Sequence, residues 1–281
     1  MSERTRLLGK IVRNKSMVIG GLIVASAIIV ALLAPILPLS DPYRINARAM
    51  HEPPSLEHIF GTDGYGRDVL SRVIYGTRIS LTIGFVVLAA RFVVGVTLGV
   101  LAGYFGGWVD TVVMRITDVF LSIPTLLLAM AVMVTLGKSF TNLIIALAIK
   151  NWTSFARISR SEVLRLKGQD YIEAARATGV SHTRIILTHL IPNFASTLFV
   201  FASMNIAYPI LGEAFLSFLG LGLDPPTTSW GYMLSIDRAY LTTAWWASVF
   251  PGLAILVLVL GFNMLGDGLR DVLDPTLVNV D

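Results

Sequence analysis

Six apolar segments, each long enough to cross a bilayer, constrain this chain more than any other feature of its sequence. A transmembrane helix needs about 20 mostly apolar residues. Such segments occur at 17–37, 80–103, 112–136, 139–156, 194–213 and 248–266. Hydrophobic residues occupy 54% of the 281 positions and charged residues only 14%, which is unusual for a soluble domain. We therefore expect an all-α integral membrane protein with six transmembrane helices.

The first apolar segment follows several basic residues, as the apolar core of a secretory signal peptide does. Segment 17–37 has bilayer length, however, whereas a signal core has only about 7–15 apolar residues. No small-x-small cleavage site lies within the nine residues that follow it. We expect this segment to be retained as the first membrane helix.

The distribution of Lys and Arg predicts the orientation of the chain, because cytoplasmic segments carry the excess of basic residues. With the N-terminus cytoplasmic, the inner segments hold thirteen basic residues: Arg4, Arg6, Lys10, Arg13, Lys15, Arg115, Arg157, Arg160, Arg165, Lys167, Arg176, Arg184 and Arg270. The outer segments hold seven: Arg44, Arg48, Arg67, Arg72, Arg78, Lys138 and Arg238. Six spans place both termini on one side, so we expect both to be cytoplasmic.

The spans divide the chain into parts with expected locations. In chain order these are a cytoplasmic tail (1–16), the first helix (17–37), an extracytoplasmic segment (38–79), a core (80–266) and a second cytoplasmic tail (267–281). The core contains a cytoplasmic loop at 157–191, which we call the polar loop, and an extracytoplasmic segment at 214–247. None of the segments outside the membrane is expected to form a soluble domain.

Composition and spacing argue against several kinds of site. The chain has no cysteine, so it can form neither disulfides nor a Cys-based metal site. Its basic residues are scattered between apolar runs, so topology explains the net charge of +4 better than nucleic acid does. Gly61, Gly64 and Gly66 lack the following Lys-Ser or Lys-Thr of a Walker motif. Asp63 and Asp68 lack the spacing of an EF-hand, so we expect a turn here, followed by an amphipathic surface helix.

The stretch EAARATGVSHTRIILTHLIPN, residues 173–193, covers the last part of the polar loop and the two residues after it. The loop is predicted to form two helices, with Gly179 as the stop of the first and Ser181 as the cap of the second. The second helix, about 182–191, should end where Pro192 removes a backbone donor. Both of its sides carry apolar residues, so it needs a burial partner besides its own bundle. Docking to another protein and lying at the lipid interface are both open.

The spacing of this stretch resembles the EAA loop in permease subunits of bacterial and archaeal ABC importers. His189 and Ile191 stand where generic members have Ile and Leu, which is similar to the peptide and nickel branch. The resemblance implies that the loop couples the permease to a separate ATPase subunit. The implied coupling residues are Glu173, Ala174, Ala175, Gly179, Ser181, His182, Arg184, Ile185, Ile186, His189 and Pro192. Glu173 is expected either to bond nearby backbone donors and anchor the loop or to be solvated.

Three other stretches are similar to C-type subunits of dipeptide and oligopeptide importers: residues 58–81, 216–234 and 260–275. The resemblance implies the type I importer permease (MetI-like) fold in a bacterial or archaeal inner membrane. It also implies a B-type permease partner, two ATPase subunits and an extracytoplasmic substrate-binding protein that delivers peptide. This chain is expected to bind no cofactor itself, with ATP and Mg held by the ATPase subunits. Dipeptides, longer peptides, nickel chelates and glutathione-like peptides are all candidate substrates.

Nickel transport in the wider family raises the question of a histidine site. His51 and His58 lie in an expected outer segment, and His182 and His189 lie in the polar loop. No His-x-x-x-His pair is present. Surface or docking roles are therefore favoured for these four residues, although nickel could still cross as a chelate.

Arg91 lies midway along the second apolar segment, where a lipid-exposed charge would cost roughly 2.5–3.5 kcal/mol on insertion scales. Gly95, Gly99 and Gly103 follow it at four-residue steps, a stripe that lets another helix approach closely. We therefore expect Arg91 to face protein or water. Three roles are open: an ion pair with Asp118 of the third segment, a place along the aqueous path, or contact with the partner permease.

Two prolines and one acidic residue complete the candidates inside the apolar segments. Pro124 and Pro209 should kink or interrupt the third and fifth spans, either to line the pathway or simply as part of bundle packing. Glu213, near the outer end of the fifth span, is a candidate for the mouth of the translocation path.

Two other classes of membrane protein are alternatives to the importer permease. A secondary transporter driven by an ion gradient would need buried acidic sites at broken helices, for which Asp118 alone is thin support. A membrane-embedded enzyme would need a His, Glu and Asp cluster or a nucleophile with a base, and no apolar segment carries one. The expected function is therefore transport without a nucleotide site in this chain.

Overall fold

The computed structural model describes residues 13–273, so Arg4, Arg6 and Lys10 lie outside the described residues. Within that range the chain is helical apart from connecting segments and one isolated bridge between Thr62 and Asp68. The helices are α1 (Lys15–Leu33), α2 (Val69–Phe105), α3 (Gly107–Ser122), α4 (Thr125–Leu136), α5 (Phe140–Ala148), α6 (Trp152–Lys167), α7 (Asp170–Ala177), α8 (His182–Arg184), α9 (Ile191–Asn205), α10 (Ala207–Phe218), α11 (Trp230–Asp237) and α12 (Trp246–Leu273). A π-helical segment, Ile185–Leu190, joins α8 to α9.

Four helical runs within the described residues are long and apolar enough to cross a membrane: α1, α2, His182–Phe218 and α12. A fifth crossing is counted if α3 and α4, which meet at 89°, form one bent span. These five runs coincide with the first, second, third, fifth and sixth predicted spans. The all-α membrane architecture is therefore confirmed. The third predicted span is a bent pair of helices, and the segment at 139–156 contains no bilayer-length helix.

The bend between α3 and α4 is a local effect of Pro124. A proline disfavours the helical conformation of the residue before it, and Ile123 is accordingly extended, with φ −92° and ψ 131°. The carbonyl group of Ile123 is left without a helical partner and accepts a hydrogen bond from Lys150 Nζ. The predicted interruption at Pro124 is confirmed.

The fourth predicted span consists of two helices rather than one. α5 has only 9 residues, and residues 149–151 separate it from α6. The polar residues Lys150 and Asn151 lie in this break. Because α5 is much shorter than a bilayer is thick, segment 139–156 is not a continuous crossing. α6 instead runs past the predicted end of the span and forms the beginning of the polar loop.

α2 packs against α6 along the predicted glycine stripe. A Cβ atom on Gly99 would lie 2.8 Å from Ala156 Cα, and one on Gly103 would lie 2.9 Å from Arg160 O. Only glycine allows the backbones to come this close. The close approach is confirmed, and the neighbouring helix is α6.

α1 and α12 form a second close pair, in antiparallel orientation. A Cβ atom on Gly20 would lie 2.7 Å from Gly261 O, and one on Gly268 would lie 2.6 Å from Met17 Cα. Asn14 Nδ2 donates to Asp271 Oδ2 at 3.1 Å. The two ends of the described chain consequently lie at the same end of the molecule.

The segment before α2 folds into a turn held by buried charges. The carboxylate of Asp63 accepts from the backbone N–H of Tyr65 at 2.8 Å and from Arg67 Nε at 2.7 Å. Asp68 caps α2 by accepting from the N–H of Ser71 at 2.8 Å. The predicted turn is confirmed, but the predicted surface helix is wrong. α2 begins directly after the turn, and Arg72 in its first turn is fully buried.

Candidate functional site

The polar loop contains more helix breaks than its sequence predicts. α6 ends at Lys167, and α7 begins at Asp170 after a break at Gly168 and Gln169. The helix that starts at His182 does not end at Pro192, as predicted, but continues through the π-helical segment into α9. Before the proline, the N–H of Ile191 bonds Ile186 O, five residues back. This wider turn lets the helix continue past the donor that Pro192 lacks.

Gly179 ends α7 as predicted. Its φ is +79°, in the left-handed region that favours glycine. Its N–H donates to Arg176 O and the N–H of Val180 donates to Ala175 O, both at 3.0 Å, which is the hydrogen-bond pattern of a Schellman cap. Ser181 stands at the start of the next helix, where its carbonyl oxygen accepts from the N–H of Ile185, but its side chain makes no capping bond.

The predicted coupling residues lie on two sides of the loop. Ile185 is fully buried and Ala175 is 9% exposed. Ile185 packs in an apolar cluster with Ile172 and Leu190, while Ile186 and His189 are half-buried. The predicted coupling residues that are exposed are Glu173, Ala174, Gly179, Ser181, His182, Arg184 and Pro192. The loop therefore has one anchored side and one side available for contact.

Leu187 belongs to the exposed side, although it was not among the predicted coupling residues. Its side chain is 58% exposed. In a regular α-helix the three-residue spacing would place Leu187 on the same side as Leu190, which is buried. Both residues lie within the π-helical segment, where the angle between successive residues differs from that of a regular α-helix, so α-helical spacing does not predict their relative positions.

Tyr104, near the end of α2, holds the base of the polar loop and was missed by the sequence analysis. Its hydroxyl is hydrogen-bonded to His182 Nδ1 at 2.8 Å. The guanidinium of Arg176 lies 5.1 Å from the centre of its ring, and its backbone oxygen accepts from Lys167 Nζ at 2.6 Å. Contacts from three parts of the loop thus converge on one residue of α2. The only sequence signal was an aromatic residue at the end of a span.

Glu173 does not make the anchoring bonds that were one of the two expectations for it. It is exposed, and within residues 13–273 its carboxylate accepts no hydrogen bond from a backbone donor. It lies with Asp170 in the first turn of α7, where a negative charge interacts favourably with the helix dipole. The solvated alternative describes this side chain.

A cavity of about 620 Å³ lies beside α2 and the run α9–α10, and we call it the Arg91 cavity. Its polar lining includes Arg91, Asn151, Ser154, Asn205 and Tyr208. A second cavity, also of about 620 Å³, adjoins the polar loop and contains Arg165 and Arg270. Phe201 lines both. The two cavities thus follow one side of α9, on either side of this ring.

Arg91 does not pair with Asp118. Its Nε donates to Leu147 O at 3.1 Å, and its Nη2 donates to the same oxygen. Asp118 is half exposed and bonds Arg157 Nη2 at 2.6 Å instead. The pairing hypothesis is wrong because the face of α2 that carries Arg91 and the glycines points toward α5 and α6. Arg91 is 3% exposed and borders the cavity.

Glu213 lies inside the protein rather than at a mouth. It is 1% exposed, its Oε1 accepts from Ser217 Oγ at 2.6 Å, and it lines neither cavity described above. The structure therefore corrects the expectation for this residue. Pro209 does interrupt its helix, since α9 and α10 are separated at Ile206.

His51 and His58, in segment 38–79, each contact one buried carboxylate. His51 Nε2 lies 3.1 Å from Asp237 Oδ1, and His58 Nδ1 lies 3.0 Å from Asp68 Oδ1. Burial raises the pKa of Asp237, while the hydrogen bonds from His51 and from the N–H of Gly64 oppose this rise. These contacts tie segment 38–79 to α2 and α11.

Comparison with known proteins gives a consistent result. Residues 95–279 match the family described as binding-protein-dependent transport system inner membrane component. The chain is 43% identical to the dipeptide transport system permease protein DppC of Alkalihalophilus pseudofirmus, over 94% of this chain and 87% of that protein. It is 42% identical to the glutathione transport system permease protein GsiD of Pectobacterium atrosepticum, over 95% of this chain and 89% of that protein. It is also 42% identical to the probable D,D-dipeptide transport system permease protein DdpC of Escherichia coli, over 90% and 87% respectively.

Proposed function

This chain belongs to the family of binding-protein-dependent transport system inner membrane components, and we propose that it forms half of the translocation pathway in an ATP-driven importer of di- or oligopeptides. The similarity to DppC and DdpC over most of each chain supports the peptide substrate. The observation that carries the coupling role is the two-sided polar loop. It is anchored on Tyr104 and buries Ile185, while Glu173, Arg184 and Leu187 are exposed.

The exposed side of the polar loop is the proposed contact with an ATPase subunit. Ala174, Arg184 and Leu187 offer a small, a basic and an apolar contact, while Ile185 belongs to the permease side. ATP and Mg are held by the ATPase subunits, and this chain catalyses no reaction of its own.

The proposed assembly contains a B-type permease, two ATPase subunits and an extracytoplasmic substrate-binding protein. The polar loop and both termini are cytoplasmic in this proposal. The excess of Lys and Arg in the corresponding segments supports that orientation. The position of both ends of the described chain at one end of the molecule supports a common side for the two termini.

In the proposed cycle, ATP binding draws the ATPase subunits together and displaces the polar loop. The displacement passes to α2, because Tyr104 holds the loop and the glycine stripe holds α6. α2 carries Arg91, which borders the cavity. The same movement therefore changes which side of the membrane the cavity opens to, and nucleotide release restores the first state.

A substitution at Gly179 tests the coupling role. Proline holds φ near −65°, whereas Gly179 has φ +79°. Gly179→Pro should therefore abolish the stimulation of ATPase activity by loaded binding protein while the permease still inserts. Gly168→Ala, in the same loop, is the matched control, because Gly168 has φ −90° and open space around its Cβ position. Normal stimulation of the Gly179→Pro complex would contradict the proposal, as would uptake that survives loss of every partner ATPase.

A glutathione-like peptide is a second candidate substrate, which the similarity to GsiD favours. Competition between a labelled dipeptide and glutathione in cells that express the whole transporter distinguishes the two. Displacement by glutathione at concentrations similar to those of unlabelled dipeptide would favour the second candidate.

A further inference from the structure

Arg91 is the one side chain with a net charge at neutral pH among the residues that line the Arg91 cavity. The other polar lining residues are uncharged: Thr125, Asn151, Ser154, Asn205 and Tyr208. The cavity volume of about 620 Å³ falls within the range of roughly 300–1,000 Å³ that is typical of sites for small molecules. The cavity thus combines one positive charge with several neutral hydrogen-bonding groups.

The charge of Arg91 has no carboxylate partner in the part of the chain that the structure describes. Its Nε and Nη2 both donate to the carbonyl oxygen of Leu147, which carries no net charge. None of the ion pairs within residues 13–273 includes Arg91. A buried charge without an opposite charge is costly, so a carboxylate that entered the cavity would gain a strong interaction.

One nitrogen of Arg91 is available for such a ligand. Nη1 makes no hydrogen bond to the described residues. Unlike Nη2 of Arg67 and Nη2 of Arg72, it is not among the buried nitrogens that are sealed from solvent without a partner. Because Arg91 lines the cavity, Nη1 can donate two N–H groups to a carboxylate there.

Asn205 supplies a complementary group in the same cavity. Its Nδ2 donates to the carbonyl oxygen of Phe201 at 2.7 Å. Its Oδ1 can therefore accept a hydrogen bond from a peptide N–H. Arg91 and Asn205 together offer a donor for a carboxylate and an acceptor for an amide, which are the two ends of a C-terminal peptide unit.

We propose that the Arg91 cavity is a substrate subsite in which Arg91 binds the free C-terminal carboxylate of the transported peptide. The inference rests on the proposed function and adds a source of substrate specificity. The permease itself distinguishes a peptide with a free C-terminal carboxylate from the same peptide without that charge. Arg91 thereby acts on substrate selection separately from the substrate-binding protein.

Direct binding to the permease tests this proposal. The assembled transporter, with its permease and ATPase partners but without binding protein, is placed in nanodiscs and titrated with alanyl-alanine and with alanyl-alanine amide. Equilibrium binding of the radiolabelled compounds is measured. The wild-type complex should bind the acid at least about tenfold more tightly than the amide, as expected for a charge-assisted hydrogen bond.

Two substitutions separate substrate binding from support of the fold. Arg91→Gln should weaken acid binding at least about tenfold and leave amide binding unchanged, while Arg91→Lys should keep part of the preference for the acid. Lys150→Gln is the matched control. Lys150 also donates to a carbonyl at a helix break, that of Ile123, but lines neither of the two cavities described. Lys150→Gln should leave the acid preference intact.

Equal binding of acid and amide by the wild-type complex would overturn the proposal, as would unchanged acid binding by Arg91→Gln. Failure of Arg91→Gln to co-purify with the partner permease, when Lys150→Gln and Arg91→Lys assemble, would show that Arg91 is a subunit contact instead. A failure of the proposed function would give a different result: the wild-type complex would show no ATP-dependent peptide uptake in the presence of binding protein.

Discussion

The close packing of α2 on α6 predicts a large effect from adding a single methyl group at Gly99. In Gly99→Ala the new Cβ would lie 2.8 Å from Ala156 Cα and nearer still to Ala156 O, whereas ordinary contacts begin at 3.4 Å. Both neighbours are backbone atoms, so the helices must separate by at least about 0.6 Å, the difference between the two distances. Overpacking of this kind costs about 1–3 kcal/mol.

Gly21→Ala is the matched control, because it makes the same chemical change inside a helix where the nearest atom, Leu265 Cδ1, is 3.9 Å away. Both variants share any gain in helix propensity, which is at most about 1 kcal/mol. The difference between them therefore measures the clash.

Thermal denaturation of the detergent-solubilised protein, followed by size-exclusion chromatography of the remaining monodisperse fraction, gives the comparison. Gly99→Ala should melt roughly 2–12 °C below Gly21→Ala, since 1 kcal/mol shifts Tm by about 2–4 °C in larger domains. A Gly99→Ala protein that melts at or above the Gly21→Ala protein would refute the argument that these backbones are in contact.

Three further predictions concern the polar loop and the segment at 214–247. Ile185→Ala should lower Tm, because truncating a fully buried Ile side chain costs about 2–5 kcal/mol. Leu187→Ala should leave Tm unchanged and reduce the stimulation of ATPase activity. The reverse pattern would show that Leu187 is on the buried side of the loop and Ile185 on the contact side. Tyr104→Phe removes the hydroxyl bonded to His182 and should cost about 0.5–1.5 kcal/mol in thermal stability, so a Tm equal to that of the wild type would discount this anchor. Burial raises the pKa of Asp237. A raised folded-state pKa means that this carboxyl contributes stability below its unfolded value near 3.9 and loses that contribution as pH rises through the folded value. As pH rises from the unfolded to the folded pKa, the wild type should lose stability that Asp237→Asn keeps. The Tm of Asp237→Asn minus that of the wild type should therefore increase with pH, and a decrease would contradict the raised pKa.

Features that depend on one residue and its neighbours could be predicted from the sequence. Pro124 disfavours the helical conformation of Ile123, and the bend between α3 and α4 follows. Gly179 reaches a positive φ that other residues avoid, so it ends α7. The apolar segments likewise identify the membrane helices, because burying about 20 apolar residues in lipid requires no particular neighbour.

Features that depend on packing could not be predicted in the same way. Pro192 is a strong local signal for a helix end, yet the helix continues past it. Ile185 and Leu190 on this run are buried against Ile172, and the π-helical segment keeps both in the apolar cluster while it bypasses the missing donor. Tertiary contacts of this kind outweigh a local termination signal of about 3 kcal/mol.

For Arg91, the sequence predicted one part of its environment and the tertiary structure was needed for the other. The sequence alone determined which face of α2 carries the charge, because Gly95, Gly99 and Gly103 follow it at four-residue steps along one side of a helix. It could not determine which helix lies opposite that face, and the ion pair with Asp118, one of the three roles left open, is wrong. Only the tertiary structure decided this, because the break at residues 149–151 leaves the carbonyl of Leu147 free to accept the guanidinium. Helical periodicity is a property of one segment, whereas the partner of a side chain depends on how separate segments pack.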